Sequence, residues 1–251
     1  MIALVGVAML LFIVTCSAVG VRLLWLAKNG GGRPALLCGH GFSLIALIGF
    51  PLGVLSGQGF APVGEVHLSL AAVSLLANLL GIGSFFVFTV TVFRPGALWA
   101  HTLAGAAIAG AGMAGVGIVG AIAVSPASAS SFEVTWGWAA TFQLVCVLCF
   151  GWMGLEGLNE WRLSRRRLTL GLSDPVVSNR LLMWGLFGVS TTLMCLVLAG
   201  VMLSGQPTAT SALAQGSQAL FGLASSAAVM LAFFPPRSYL ERLRAATPAT
   251  V

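Results

Sequence analysis

What this chain can fold into is set by its apolar runs. Seven of them, at roughly residues 2 to 27, 35 to 57, 66 to 93, 97 to 124, 136 to 159, 176 to 204 and 212 to 234, are long and almost free of charge. About twenty helical residues cross about 30 Å of hydrocarbon. Lipid offers the backbone no hydrogen-bonding partner, so a spanning segment must satisfy its own N–H and C=O groups, as a helix does. A transmembrane barrel would instead alternate polarity over segments of about ten residues, a pattern the runs do not show. Composition agrees: 58% of residues are hydrophobic and 7% charged, too few polar groups to clothe a domain in water. The expectation is an all-α, polytopic membrane protein, a seven-transmembrane-helix bundle over residues 1–236 followed by a cytoplasmic amphipathic tail over 237–251.

Turn-forming sequence separates the runs, as in Asn29-Gly30-Gly31-Gly32-Arg33-Pro34, Arg94-Pro95-Gly96 and Gly205-Gln206-Pro207-Thr208. Basic residues near span ends are retained on the cytoplasmic side. Here Arg22, Lys28, Arg33, Arg94, Arg162, Arg165, Arg166, Arg167, Arg180, Arg237, Arg242 and Arg244, all 12 lysines and arginines, fall on one side of a seven-span arrangement. The N-terminus is therefore expected outside and the C-terminus in the cytoplasm, in a bacterial inner membrane. The opening residues Met1-Ile2-Ala3-Leu4-Val5 lack the basic start of a signal peptide, and the run is too long for its apolar core, so the first span is read as retained. A net charge of +6, placed at span ends, suits anionic lipid headgroups and not nucleic acid.

The fifth connection is the long one. Arg162-Leu163-Ser164-Arg165-Arg166-Arg167 reads as a cationic extension of the fifth helix along the headgroups, and Asp174-Pro175 as the start of the sixth. An Asp side chain accepts from free N–H groups, and Pro at the first helical position lacks only a donor unused there. Glu156 and Glu160, one turn apart, are expected to pair with Arg180 or Arg162. Together with Arg165, Arg166 and Arg167 they form a candidate cytoplasmic interaction surface. After Pro235-Pro236, Tyr239, Leu240 and Leu243 share one face while Glu241 and Arg242 share the other, the pattern of a short helix on the inner leaflet.

Polar side chains within spans are costly and face other helices, so they mark interior faces. His67, Ser74 and Asn78 form one stripe of the third span, and Gln215, Gln218, Gly222 and Ser225 one of the seventh. Gln143 lies below Trp136 in the fifth. All fall in the outer half, so His67, Ser74, Asn78, Trp136, Gln143, Gln215, Gln218 and Ser225 are candidate ligand-binding residues, with Ser190, Thr191 and Thr192 nearby. The alternative is that the amides only tie helices together. The fourth span carries Gly105, Gly110, Gly112, Gly115, Gly117 and Gly120 and is expected to pack on several sides or to form a homodimer face. Pro51 is expected to kink the second helix.

His40 and His101 could share a ligand near the cytoplasmic boundary, but His67 is on the opposite side and no haem or metal spacing accompanies them. Cys16, Cys38, Cys146, Cys149 and Cys195 all sit in apolar runs and read as free thiols. No Gly-x-Ser-x-Gly, Walker or zinc-protease element is present. The expectation is no catalysis, metal or cofactor.

Seven spans, an external N-terminus and a surface helix after the last resemble rhodopsins and G-protein-coupled receptors in topology. Retinal would need a Schiff-base lysine in the seventh helix, and the one lysine, Lys28, lies in the first connection. Phe234-Pro235-Pro236-Arg237-Ser238-Tyr239, directly after the last span, is similar to the end of the seven-helix membrane input modules of bacterial sensor histidine kinases and cyclases. Their dimerisation and catalytic domains do not follow here, so the resemblance implies signalling through a separate partner docked on the inner loops. The expected function is a stand-alone, receptor-like protein that binds a small or lipidic ligand in an outward-facing pocket between helices. A small-solute transporter or channel, or a structural subunit of a membrane complex, are the alternatives.

Overall fold

The computed structural model describes residues 2–59 and 61–245. Met1, Phe60, residues 246–251 at the end of the expected tail, and the Arg244 side chain lie outside the described residues. The helices are α1 (Ile2–Leu26), α2 (Gly32–Ser43), α3 (Phe50–Leu55), α4 (Leu68–Phe93), α5 (Leu98–Val124), α6 (Ser131–Thr169), α7 (Pro175–Leu203), α8 (Ala212–Phe233) and α9 (Arg237–Ala245). Six helical segments are long and apolar enough to cross a membrane: Val5–Leu55, Leu68–Phe93, Leu98–Val124, Ser131–Leu168, Pro175–Leu203 and Ala212–Phe233. The chain is all-α and, by these segments, a multi-pass membrane protein.

The first segment is not one rod. Asn29 (φ −99°, ψ 27°) and Gly30 (φ 96°) leave the helical region, and Gly30 adopts a conformation that a side chain would strain. There the chain folds back. Gly20 lies against Ser43, Gly39 against Leu24, and the Phe12 and Phe50 rings meet edge to face at 5.9 Å. A straight helix of 51 residues would measure about 77 Å, more than twice the hydrocarbon thickness of about 30 Å. On the return arm the helix widens over Leu44–Gly49, where the Phe50 N–H reaches back to the Ile45 carbonyl. Pro51 follows at once, and its ring would clash with the carbonyl four residues earlier, which explains why the helix widens at this turn.

Each long helix packs on its neighbour in sequence, α4 also touches α6, and α1 closes the ring on α8. Lipid removes the hydrophobic drive between helices, so shape complementarity must hold such a bundle. The tightest crossing is between α6 and α7. There Gly154 faces Gly188 and Gly157 faces Gly185, and a Cβ on Gly154 would come to 2.9 Å from the Val189 nitrogen.

Helix α5 departs from expectation. It meets α4 and α6 through one stripe, Ala100, Ala104, Ala107, Ala111, Ala114, Ile118 and Ile122, and is not packed on several sides. Met113, Val116 and Val124 on its other side are exposed, and Gly105 and Gly120 touch nothing. Gly117 lies tight against Trp138 of α6, and Gly110, Gly112 and Gly115 face side chains of α6 or α4, so four of its six glycines serve these two contacts.

The core sits toward the end carrying the basic residues. Phe42 of α2 packs on Phe85 of α4 at 5.0 Å, on Phe187 of α7 at 5.5 Å, on Trp184 at 6.0 Å and on Phe233 of α8 at 6.4 Å. Phe150 of α6 joins through Phe85 and Phe187. At the same end Arg22 of α1 donates to the Phe233 carbonyl (2.6 Å) and lies over the Phe234 ring. One side chain thereby satisfies a free carbonyl at the end of α8 and fastens the ring closed.

Helix α6 runs unbroken for 39 residues, about 58 Å, so its last turns, with Arg162, Arg165, Arg166 and Arg167, extend well past one bilayer thickness. Asp174 accepts from the Val176 N–H (2.7 Å) and Pro175 opens α7. Helix α9 is tied to α7 by Tyr239 Oη donating to Asn179 Oδ1 at 2.9 Å.

Candidate functional site

At the end of the bundle away from the basic residues the helices do not meet. A cavity of about 370 Å³ lies between α1, α3, α4, α6, α7 and α8. Its wall is mainly apolar, with Met9 and Phe12 of α1, Phe50 of α3, Phe142 of α6, and Met194 and Met202 of α7. Methionine suits such a wall because its unbranched chain adapts to irregular shapes. Gly222 of α8 is buried at the wall, and a Cβ built on it would meet nothing within 4 Å. It therefore faces open space.

Six polar residues interrupt this wall: Gln58, Ser74, Asn78, Gln143, Thr191 and Gln218. The two hydroxyls among them are engaged. Ser74 Oγ donates to the Gly49 carbonyl at 2.7 Å, and Thr191 Oγ1 lies 3.1 Å from Ser225 Oγ. Asn78 Nδ2 donates to the Ser74 carbonyl (3.0 Å) one turn back, while its amide rests on Gly49, where a Cβ would collide with it. Among the described residues nothing pairs with Asn78 Oδ1 or with the amides of Gln143 and Gln218, and all three side chains line the cavity. All three side chains are half-buried, so these polar atoms are open to a molecule in the cavity.

The structure thus gathers Ser74, Asn78, Gln143 and Gln218 at one cavity and leaves the other candidates elsewhere. His67 is exposed at the start of α4, and Trp136 is exposed on α6. Gln215 Nε2 donates to the Ala209 carbonyl (2.6 Å). Ser225 is fully buried beside Thr191. Of the neighbouring hydroxyls, Thr192 donates to the Gly188 carbonyl and Ser190 is half-buried. Gln58 carries no sequence signal, since it sits in a turn. The apolar wall carries none either, because every face of a membrane helix is apolar.

Beyond the cavity, at the same end of the bundle, two loops pair. The Val63 and Gly64 N–H groups donate to the Ala129 and Ala127 carbonyls (both 2.9 Å), and the Ser131 N–H to the Ala61 carbonyl (3.3 Å). The turn after α3 is so locked to the one between α5 and α6.

At the basic end a second polar group forms. Glu156, buried in α6, pairs with Arg94 and not with Arg180 or Arg162. Arg94 Nε and Nη2 donate to its two carboxylate oxygens at 2.6 and 3.1 Å. The expected partners lost because Arg94 ends α4, which packs directly on α6. Trp152 Nε1 also donates to Glu156 (3.1 Å) and its ring packs on Trp99 at 5.6 Å. Hydrogen bonding to Glu156 raises the Arg94 guanidinium pKa above its ordinary value. Glu160 is half-buried one turn on, Arg165 stacks on Trp161, and Arg167 and Arg180 are exposed. His40 and His101 are both exposed, on α2 and α5. No known family model, curated protein or solved structure matches this chain.

Proposed function

We propose that the chain crosses a bacterial inner membrane seven times, the folded-back first segment supplying two crossings, with the basic end in the cytoplasm. In this arrangement the cavity occupies the outer half, where a small or lipidic molecule binds. Occupancy is read by a partner protein or by lipid at the basic end. The chain then acts as a receptor-like sensor and not as an enzyme.

The cavity carries this reading. Its volume of about 370 Å³ falls within the usual range for ligand pockets, about 300–1,000 Å³. Helices in lipid associate by van der Waals contact, so leaving such a gap gives up packing that a ligand restores. The aromatic cluster beneath it supports a receptor over a channel, since a pore needs polar groups where Phe42, Phe85 and Phe187 stand. One-sided basic residues support the orientation.

Thermal unfolding of purified protein against ligand and lipid libraries, run beside Gly222→Leu, tests the reading. A binding compound raises the wild-type Tm and leaves that of the filled variant unchanged. If no compound does so, or if both proteins respond equally, the cavity is not a ligand site.

A further inference from the structure

We infer that the molecule this cavity takes is an uncharged amphiphile, an apolar chain ending in a hydroxyl or primary amide, with the head held by Asn78 and Gln143. The inference rests on the cavity being a ligand site and adds the chemistry of what fills it.

Charge decides first. Among the described residues the lining contains no Asp, Glu, Lys, Arg or His. The two amides are also deep. Asn78 lies ten residues along α4 and Gln143 twelve along α6, about 15 and 18 Å from the helix starts by the helical rise, well within segments apolar enough to cross a membrane. An ion there loses its water and gains no opposite charge, a cost far above that of a hydrogen-bonded neutral group.

Hydrogen bonding decides next. Asn78 gives an N–H to the Ser74 carbonyl and keeps Oδ1 as an open acceptor, while Gln143 offers both a donor and an acceptor. A head that both donates and accepts satisfies them together, which an ester or ether oxygen alone does not. Gln218 lies six residues along α8, about 9 Å in, and serves the ligand's entry side. Met9, Phe12 and Met194 leave a wall suited to a flexible chain, not to a rigid polar ring system.

The test uses the intact protein in lipid nanodiscs with three probes of equal chain length: 1-dodecanol, dodecanoate kept ionised at alkaline pH, and dodecyltrimethylammonium. Binding is read as saturable Tm shifts against concentration, in wild type and in Gly222→Leu. The alcohol should bind, and the filled variant should abolish the effect. Both ions should bind at least about 100-fold more weakly, the expected scale for an unpaired charge in an apolar site. Gln143→Leu should weaken the alcohol roughly tenfold, the loss of one net hydrogen bond, without lowering the Tm of the ligand-free protein. If an ion binds as tightly as the alcohol and Gly222→Leu removes it, neutrality is overturned while the cavity remains a ligand site. If no probe shows a saturable shift that Gly222→Leu removes, the ligand site itself is overturned. An unchanged alcohol affinity in Gln143→Leu overturns the role of the amide.

Discussion

The two halves of this bundle are cut from the same helices and are filled differently. Toward the basic end, Phe42, Phe85, Phe150, Phe187 and Phe233 interlock from five helices, Glu156 is held by Arg94 and Trp152, and Arg22 fastens α1 to α8. Toward the other end the helices line a cavity with separate rings, Phe12, Phe50 and Phe142, among methionines, small residues and amides, and Phe150 borders both halves. Hydropathy does not separate the halves, because all of these helices are apolar. Side-chain shape does. Ring packing is dense in one half, and open space remains in the other.

Five single variants and one double variant probe this contrast. The largest effect is expected at the glycine crossing, where a side chain on Gly188 meets the Gly154 backbone. Gly188→Val should yield no monodisperse protein by size-exclusion chromatography. Wild-type behaviour there would mean that α6 and α7 do not depend on close approach. Next comes Phe85→Ala in the aromatic half, which should cost about 3–5 kcal/mol of unfolding free energy. Phe142→Ala at the cavity wall should cost on the order of 1–2 kcal/mol, because one side of that ring already faces open space. Equal losses would erase the difference between the halves.

Arg94→Ala should lower the Tm, since it leaves a buried carboxylate with only Trp152 as donor. Adding Glu156→Gln should restore part of the loss, as expected when the penalty is an unpaired charge. A double variant no better than the single one would place the contribution in packing and not in charge. The smallest effect is expected for Gly222→Leu, within about 1 kcal/mol of wild type, because the new side chain enters open space.

Much of the fold was legible in the sequence, and the reasons differ by element. The apolar runs, the turn at Gly30 and the Asp174-Pro175 start of α7 follow from local chemistry, which needs no knowledge of neighbours. The polar stripes were half informative. Ser74, Asn78, Gln143 and Gln218 reach the cavity, whereas Ser225 and Gln215 find partners on the protein that spacing alone does not reveal. The glycine count drew attention to α5, yet the pairs that matter are Gly154 with Gly157 and Gly185 with Gly188, three residues apart on consecutive helices. That matched spacing was the available signal. Glu156 joined Arg94 and not a residue nearer in sequence, because helix adjacency, α4 on α6, set the pairing.

The reading proposed above requires that the half opposite the basic end hold a ligand. Native mass spectrometry of protein released from its own membranes tests it most directly. Wild type should carry a discrete bound mass of lipid-like size, and Gly222→Leu, equally folded, should have lost it. The same bound mass on both proteins, or none on wild type after gentle release, would contradict the claim.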